Sequence, residues 1–210
     1  MQKNKFLLLA LCLLFALNMN ANPQDWSGYR TGELYAGYII KNDGTRVEGY
    51  IEAQPRGANP GNLQLNSNQS RVIFYTDRED KKSKIIYKPA DLTEYKIADK
   101  TYRSMHYSGG LSSKPLRFLL LVKDGRIAQY MWYENDNGEW EETVIFQKGQ
   151  EAPVSIKSFA LGFSKKMSEL VSDNKELAEK VKNKEKGYGL LSLYDIIEKY
   201  NNSYTSENEN

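Results

Sequence analysis

The residues of this chain that could do chemistry are few, and most of them lie between positions 100 and 145. His106 is the one histidine. Histidine is the one side-chain type whose unperturbed pKa puts a charge change near neutrality, so a hydrolytic triad would need it as the base. None of the companions of such a triad is present: the sequence holds no Gly-x-Ser-x-Gly, Ser-x-x-Lys or His-Glu-x-x-His. Glu141 and Glu142, with Glu139 nearby, are acids that a glycosidase could use, since those enzymes flank the scissile bond with two carboxylates. A chain with 27 acidic residues brings acids together by chance, so the pair says little alone. Gly109-Gly110 has neither the spacing nor the following helix of a phosphate-binding loop.

Aromatic rings give a second kind of candidate. Tyr130, Trp132, Tyr133 and Trp140 gather around one turn. Such rings combine area with a polar tip and suit stacking on sugars or anchoring a partner. They also fill pleated, half-buried strand surfaces. Tyr130 and Trp132 share a strand face with Leu119 and Leu121, which favours the core, while Trp140 sits among Glu139, Glu141 and Glu142 and is the ring expected to be exposed. These four residues form the candidate ligand-binding set. No catalytic residue is nominated. Cys12 is the only cysteine, so with His106 alone a zinc site would have to be built from carboxylates; neither a metal nor a cofactor is expected.

An address precedes the working chain. Lys3 and Lys5 lead into an apolar run from Phe6 to Leu17, too short to span a bilayer, and then into Met19-Asn20-Ala21. That order is a secretory signal peptide, expected to be removed after residue 21 and to leave no membrane span. Cys12 falls inside the apolar run; Leu9-Ala10-Leu11-Cys12 loosely resembles a lipidation box, with bulky Leu11 where a small residue belongs. Residues 1–21 hold two of the 29 basic residues and no acid, so 27 basic residues then face 27 acidic ones and the mature chain is formally neutral. A neutral, mixed surface gives little long-range pull on nucleic acid or anionic lipid. No nucleic-acid partner is expected.

Strands come first and helices last. Glu33 to Ala53 reads as a hairpin about a two-residue Asp43-Gly44 turn, which would set Ile40 opposite Val47 and bury Leu34, Ala36, Tyr38 and Ile40 with Val47, Gly49, Ile51 and Ala53. Pro55 to Ser70, rich in Gly, Asn, Pro and Ser, reads as a long mobile loop. Arg71–Thr76 pairs with Lys84–Lys88, Pro89 opens a short helical turn, and Glu94–Ala98 pairs with Thr101–Tyr107 about Asp99-Lys100. The hairpin of Leu116–Lys123 and Arg126–Glu134 is apolar on both faces: Phe118, Leu120, Val122, Ile127 and Met131 on one, Leu119, Leu121, Ala128, Tyr130 and Trp132 on the other. Strands of that kind are covered on both sides, which places this hairpin at the centre of the fold. Thr143–Lys148 is one more strand. From Ser158 the period becomes helical, with Phe159, Phe163, Met167, Leu170 and Val171 in one stripe. A second helix starts near Asp173, with Glu176 at capping-box spacing, and a third near Ser192. The expected class is α+β: an antiparallel body of about 7–9 strands over residues 22–155, built as a curled sheet, a sandwich or an open barrel. Two or three helices follow over 156–203, packed on it, and 204–210 form a disordered tail.

The segment Gly37-Tyr38-Ile39-Ile40-Lys41-Asn42-Asp43-Gly44 running into Val47-Glu48-Gly49-Tyr50-Ile51, and then Tyr87-Lys88-Pro89-Ala90-Asp91-Leu92, resembles a group of exported, uncharacterised proteins of Bacteroidota-type bacteria. The run from Leu170 to Val181 and the closing Glu198-Lys199-Tyr200-Asn201 are similar to the helical end of the same group. The resemblance implies a Gram-negative envelope or secreted location and a β-rich body, and it brings no catalytic residues. Some members of the group carry a cysteine after the Ser-Asp pair, where this chain has Asn174.

Together these readings describe an exported, non-enzymatic binding or interaction module of the envelope, whose partner is another envelope protein or a glycan. The alternatives are a secreted glycan or ester hydrolase using carboxylates or His106, and a structural subunit of an envelope assembly. The exported chain is placed in the periplasm, at the outer membrane or outside the cell.

Overall fold

The computed structural model describes residues 25–54, 67–107, 115–136 and 139–205. Residues 1–24 with Cys12 and the segment expected as a leader, Gly109-Gly110, most of the segment expected as a loop after Ala53 and the last five residues lie outside them.

Period-two alternation builds one antiparallel sheet of ten strands in the order β10-β9-β8-β7-β6-β5-β1-β2-β3-β4. One meander comprises β1 (Leu34–Lys41), β2 (Arg46–Glu52), β3 (Val72–Tyr75) and β4 (Lys84–Tyr87). The chain then returns to pair β5 (Leu92–Ile97) with β1, and a second meander continues through β6 (Lys100–His106), β7 (Leu116–Lys123), β8 (Ile127–Asp136), β9 (Glu139–Lys148) and β10 (Val154–Ser155). The sheet is curled and not closed. Its inner face gathers Ile39, Ile51, Phe74, Tyr95, Tyr102, Phe118, Leu120, Met131 and Tyr133 into one core. Tyr95 and Tyr102 stack at 4.7 Å, and Phe118 meets Tyr95 edge-on at 4.9 Å.

The first hairpin has a different register from the expected one. Its turn is Asn42-Asp43-Gly44, closed by Gly44 N–H to Lys41 O at 2.9 Å and Lys41 N–H to Thr45 O at 2.9 Å. Gly44 takes φ +82°, the left-handed residue of a three-residue hairpin loop, and the Asp43 carboxylate accepts from Thr45 N–H at 2.9 Å. One extra turn residue slips the register by one, so Ile39 faces Val47 and Tyr35 faces Ile51. The inward face of β1 is therefore Tyr35, Gly37 and Ile39, the opposite of the expected set. Gly37 and Gly49 face each other there. A Cβ on Gly37 would overlap the Lys96 carbonyl oxygen, and one on Gly49 would overlap the Phe74 ring. The β5–β6 turn is likewise one residue early: Ala98-Asp99 turn, and Lys100 opens β6 opposite Ile97.

The β7–β8 hairpin is buried on both faces as its pattern requires. Phe118, Leu119 and Leu120 have no exposed surface, and each contributes about 1.5–3 kcal/mol of burial. Leu119, Ala128, Tyr130 and Trp132 join Met105, Tyr107 and Ile145 in an outer-face core. The inner face is closed from within by α1 (Ser67–Ser70). The end of the segment read as a mobile loop is thus a buried plug: the Gln69 carboxamide donates to Tyr133 O at 2.8 Å and accepts from Tyr133 N–H at 2.7 Å, in the manner of a neighbouring strand. Asn68 O accepts from the Tyr95 hydroxyl at 2.7 Å.

The helical layer packs on β8 and β9. A 3₁₀ turn (Ile156–Ala160), α2 (Phe163–Leu170), α3 (Lys175–Lys182) and α4 (Leu193–Thr205) bury Phe159, Met167, Val171, Val181, Ile196 and Tyr200 against Ile127 and Phe146. Asn174, not Asp173, caps α3, accepting from Leu177 N–H at 3.1 Å. Asp173 serves elsewhere. Its carboxylate accepts from Lys148 Nζ at 2.8 Å, Arg126 Nη2 at 2.7 Å and the Tyr200 hydroxyl at 2.8 and 2.9 Å. Beside it, Asn201 pairs with the main chain of Ile127, accepting from its N–H at 2.9 Å and donating to its carbonyl at 3.0 Å. The closing Tyr200-Asn201 of the resemblance is thus what fastens α4 to the sheet. Helix α4 runs to Thr205, into the segment expected as tail, because Tyr204 packs on Tyr200 at 5.1 Å and under Arg126 at 4.0 Å. Among the described residues no helix is long and apolar enough to cross a membrane.

Candidate binding cleft

Where α1 meets the start of β7 and the end of β8, the sheet leaves a polar cleft of about 390 Å³. Gln69 anchors one wall by its grip on the Tyr133 main chain, which places Ser67 and Ser70 at the rim. Arg117, the second residue of β7, forms the floor. It is half-buried, and its Nε is wholly buried with no hydrogen-bond partner among the described residues. A guanidinium in a polar cleft favours a ligand that brings acceptors, above all a carboxylate. Glu134 balances the opposite side, accepting from Trp132 Nε1 at 3.5 Å. It faces Glu141 across the β8–β9 pair. Like charges set opposite each other repel, and here the Trp132 N–H on one and an ion pair from Lys157 to Glu141 on the other relieve this.

The sequence-derived candidates divide across this geometry. Tyr130, Trp132 and Tyr133 are all buried, and Tyr133 faces the inner core while the other two face the outer one. Trp132 packs edge-on against Tyr107 at 5.6 Å. Of the described candidates, Trp132 and Tyr133 reach the cleft and Tyr130 does not. Tyr130 is committed to a polar chain along the outer face: its hydroxyl accepts from Arg103 at 3.4 Å, and Arg103 also binds Asp124 at 2.9 Å and Glu94 at 2.8 Å. Burial raises the Tyr130 pKa. At the far end of that chain the Tyr38 hydroxyl donates to Glu94 at 2.7 Å, and burial together with this bond pushes its pKa up to about 12. The backbone of Trp140 pairs with Asn135, and its side chain lies outside the described residues. His106 is exposed at the end of β6, opposite Leu116, and none of the lining residues of the cleft is His106, Glu141 or Glu142. Among the described residues no group of acids, histidine or cysteine is placed to hold a metal ion.

A second unusual group is Lys100, whose side chain has no exposed surface. Its ammonium lies 5.0 Å from the Trp26 ring centre and 4.9 Å from that of Tyr29, with Asp99 at 3.4 Å. Tyr29 donates a short hydrogen bond to Asp99. Burial pushes the Lys100 pKa down, while Asp99 and Asp25 pull it up. The cage latches the first described segment over the core.

Gln69, Arg117 and Lys100 were missed by pattern reading. Lys100 alone left a signal, since it alternates with Tyr102 and so must share the inner face. Gln69 and Arg117 acquire meaning only from strands distant in sequence. Comparison of the chain with protein-family models, curated proteins and solved structures gives no match, so the functional reading stands on this geometry.

Proposed function

We propose that the chain is an exported, non-enzymatic binding module of the bacterial envelope, which takes a carboxylate-bearing glycan into the cleft floored by Arg117. The observation that carries this reading is the buried Nε of Arg117, without a partner among the described residues, in a polar cleft between α1, β7 and β8. Serine hydroxyls and the Glu134 carboxylate suit sugar hydroxyls, and the edges of Trp132 and Tyr133 supply an apolar wall. The leader supports export.

The test is titration of the exported protein with uronate-bearing and neutral oligosaccharides, followed by calorimetry. Binding of the acidic series is expected, with Arg117→Ala weakening it about tenfold or more, as for a lost charge-assisted hydrogen bond. Equal binding of both series removes the role assigned to Arg117. Turnover of a glycan or ester panel that disappears in His106→Ala or Glu142→Gln would replace the binding reading with the hydrolase one.

A further inference from the structure

We propose that the end of the helical layer at which α2 and α4 begin and α3 finishes is a docking surface for an anionic lipid bilayer. This does not depend on the Arg117 cleft.

Helices α2 and α3 are joined through Ser172 to Asn174, next to the Asp173 cluster, and α4 returns to that cluster through Tyr200 and Asn201. The start of α2, the end of α3 and the start of α4 therefore lie together at the opposite end. The groove between α2 and α3 shows this pairing, bringing Gly162 and Phe163 alongside Lys182 and Lys184. The Phe146 ring ties in α4, taking Phe159 at 6.3 Å and Tyr194 at 6.0 Å.

Apolar side chains leave the core at this end. Leu161 is 82% exposed, Leu190 45%, Tyr194 48%, and Leu191 is fully exposed. Leu190 and Leu191 stand on a 3₁₀ turn (Leu190–Ser192) preceded by Gly187 and Gly189. Around them residues 161–166 and 182–195 hold five lysines, at 165, 166, 182, 184 and 186, against the two acids Glu185 and Asp195, while Lys182 also pairs with Glu179 at 3.6 Å. The mature chain is neutral as a whole, so this is a local concentration of positive charge.

Exposed leucines ringed by lysines match an anionic bilayer: the leucines enter the acyl boundary and the ammonium groups stay among the phosphates. A protein partner fits less well. Protein interfaces are depleted in lysine and enriched in arginine and aromatic residues, and this patch holds no arginine.

The probe is vesicles of equimolar phosphatidylglycerol and phosphatidylcholine, with pure phosphatidylcholine as reference, sedimented with the chain as processed by the exporting cell. Partition into the anionic vesicles alone, declining with added salt, is expected. Leu191→Glu should weaken it about tenfold, the effect of losing one buried leucine. Glutamine at Lys182, Lys184 and Lys186 should weaken it about fivefold per lysine and flatten the salt dependence. All four positions are exposed, so thermal unfolding should be unchanged in both variants. No partition of the parent chain, or partition indifferent to both variants, overturns the proposal. So does self-association that Leu191→Glu abolishes in the absence of any vesicle binding, since that would make the patch a contact between copies of the chain.

Discussion

Replacing Asp173 with asparagine tests whether one carboxylate fastens the helical layer to the sheet. Lys148 is nearly buried, its side chain 12% exposed, and its charge-assisted bond to Asp173 contributes about 1.5 kcal/mol. The Tyr200 hydroxyl adds about 1 kcal/mol. Arg126 is half exposed, so solvent screens its ion pair and it weighs less than the other two. Asparagine keeps one acceptor oxygen for these donors, so Asp173→Asn should cost about 2 kcal/mol near neutrality. For a chain of this length that lowers the unfolding midpoint by about 6 °C. Burial pushes the Asp173 carboxyl up, but the bonds from Lys148, Tyr200 and Arg126 outweigh it and hold the group well below the usual carboxylate range. A carboxyl depressed in the folded state adds its full stability above its unfolded pKa, about 4, and loses it as the pH falls towards the folded value. The difference between parent and variant should be complete near neutrality and narrow below about pH 4. Thermal unfolding followed by circular dichroism across that range measures it. Equal midpoints near neutrality, or a gap that stays constant in acid, would refute the reasoning.

Asn201→Ala strips the paired bonds from the Ile127 main chain and should cost about 2 kcal/mol in urea unfolding, with hydrogen exchange at Ile127 accelerated. Gly37→Ala forces a methyl onto the Lys96 carbonyl, which cannot swing aside as a side chain can; a loss of about 3 kcal/mol is expected, against about 1 kcal/mol for Gly44→Ala, where only the left-handed φ is at issue. Lys100→Met takes the cation from the Trp26 and Tyr29 faces and leaves Asp99, which is 38% exposed, without its ammonium partner, so it should cost about 1 kcal/mol near neutrality. Because burial depresses the Lys100 pKa, the parent should gain stability as the pH rises from that folded value towards about 10.4, and Lys100→Met should not show this gain.

The alternation of residues was enough to find every strand but the two-residue β10, and the two-sided hairpin of Phe118 to Trp132 announced its own central place, since apolar residues on both faces have nowhere to go but under two covers. The helical stripe from Phe159 to Val171 was legible for the same reason. Register was not: Asn-Asp-Gly serves a two-residue or a three-residue turn equally well, and Gly37 facing Gly49, which is what lets β1 lie close to β5 and β2 to β3, is visible only once the strands are paired. Nor did local sequence reveal that Gln69 reads as a strand edge to Tyr133, that the buried Nε of Arg117 has no partner among the described residues, or that the start of α2 lies alongside Lys182 and Lys184, since each depends on segments that meet only in space. From its amino acids alone the chain declares a β-rich body and late amphipathic helices, because periodicity and composition are local properties. Where its cleft opens was decided by tertiary packing, because an evenly mixed sequence acquires patches only when folding chooses which residues become neighbours.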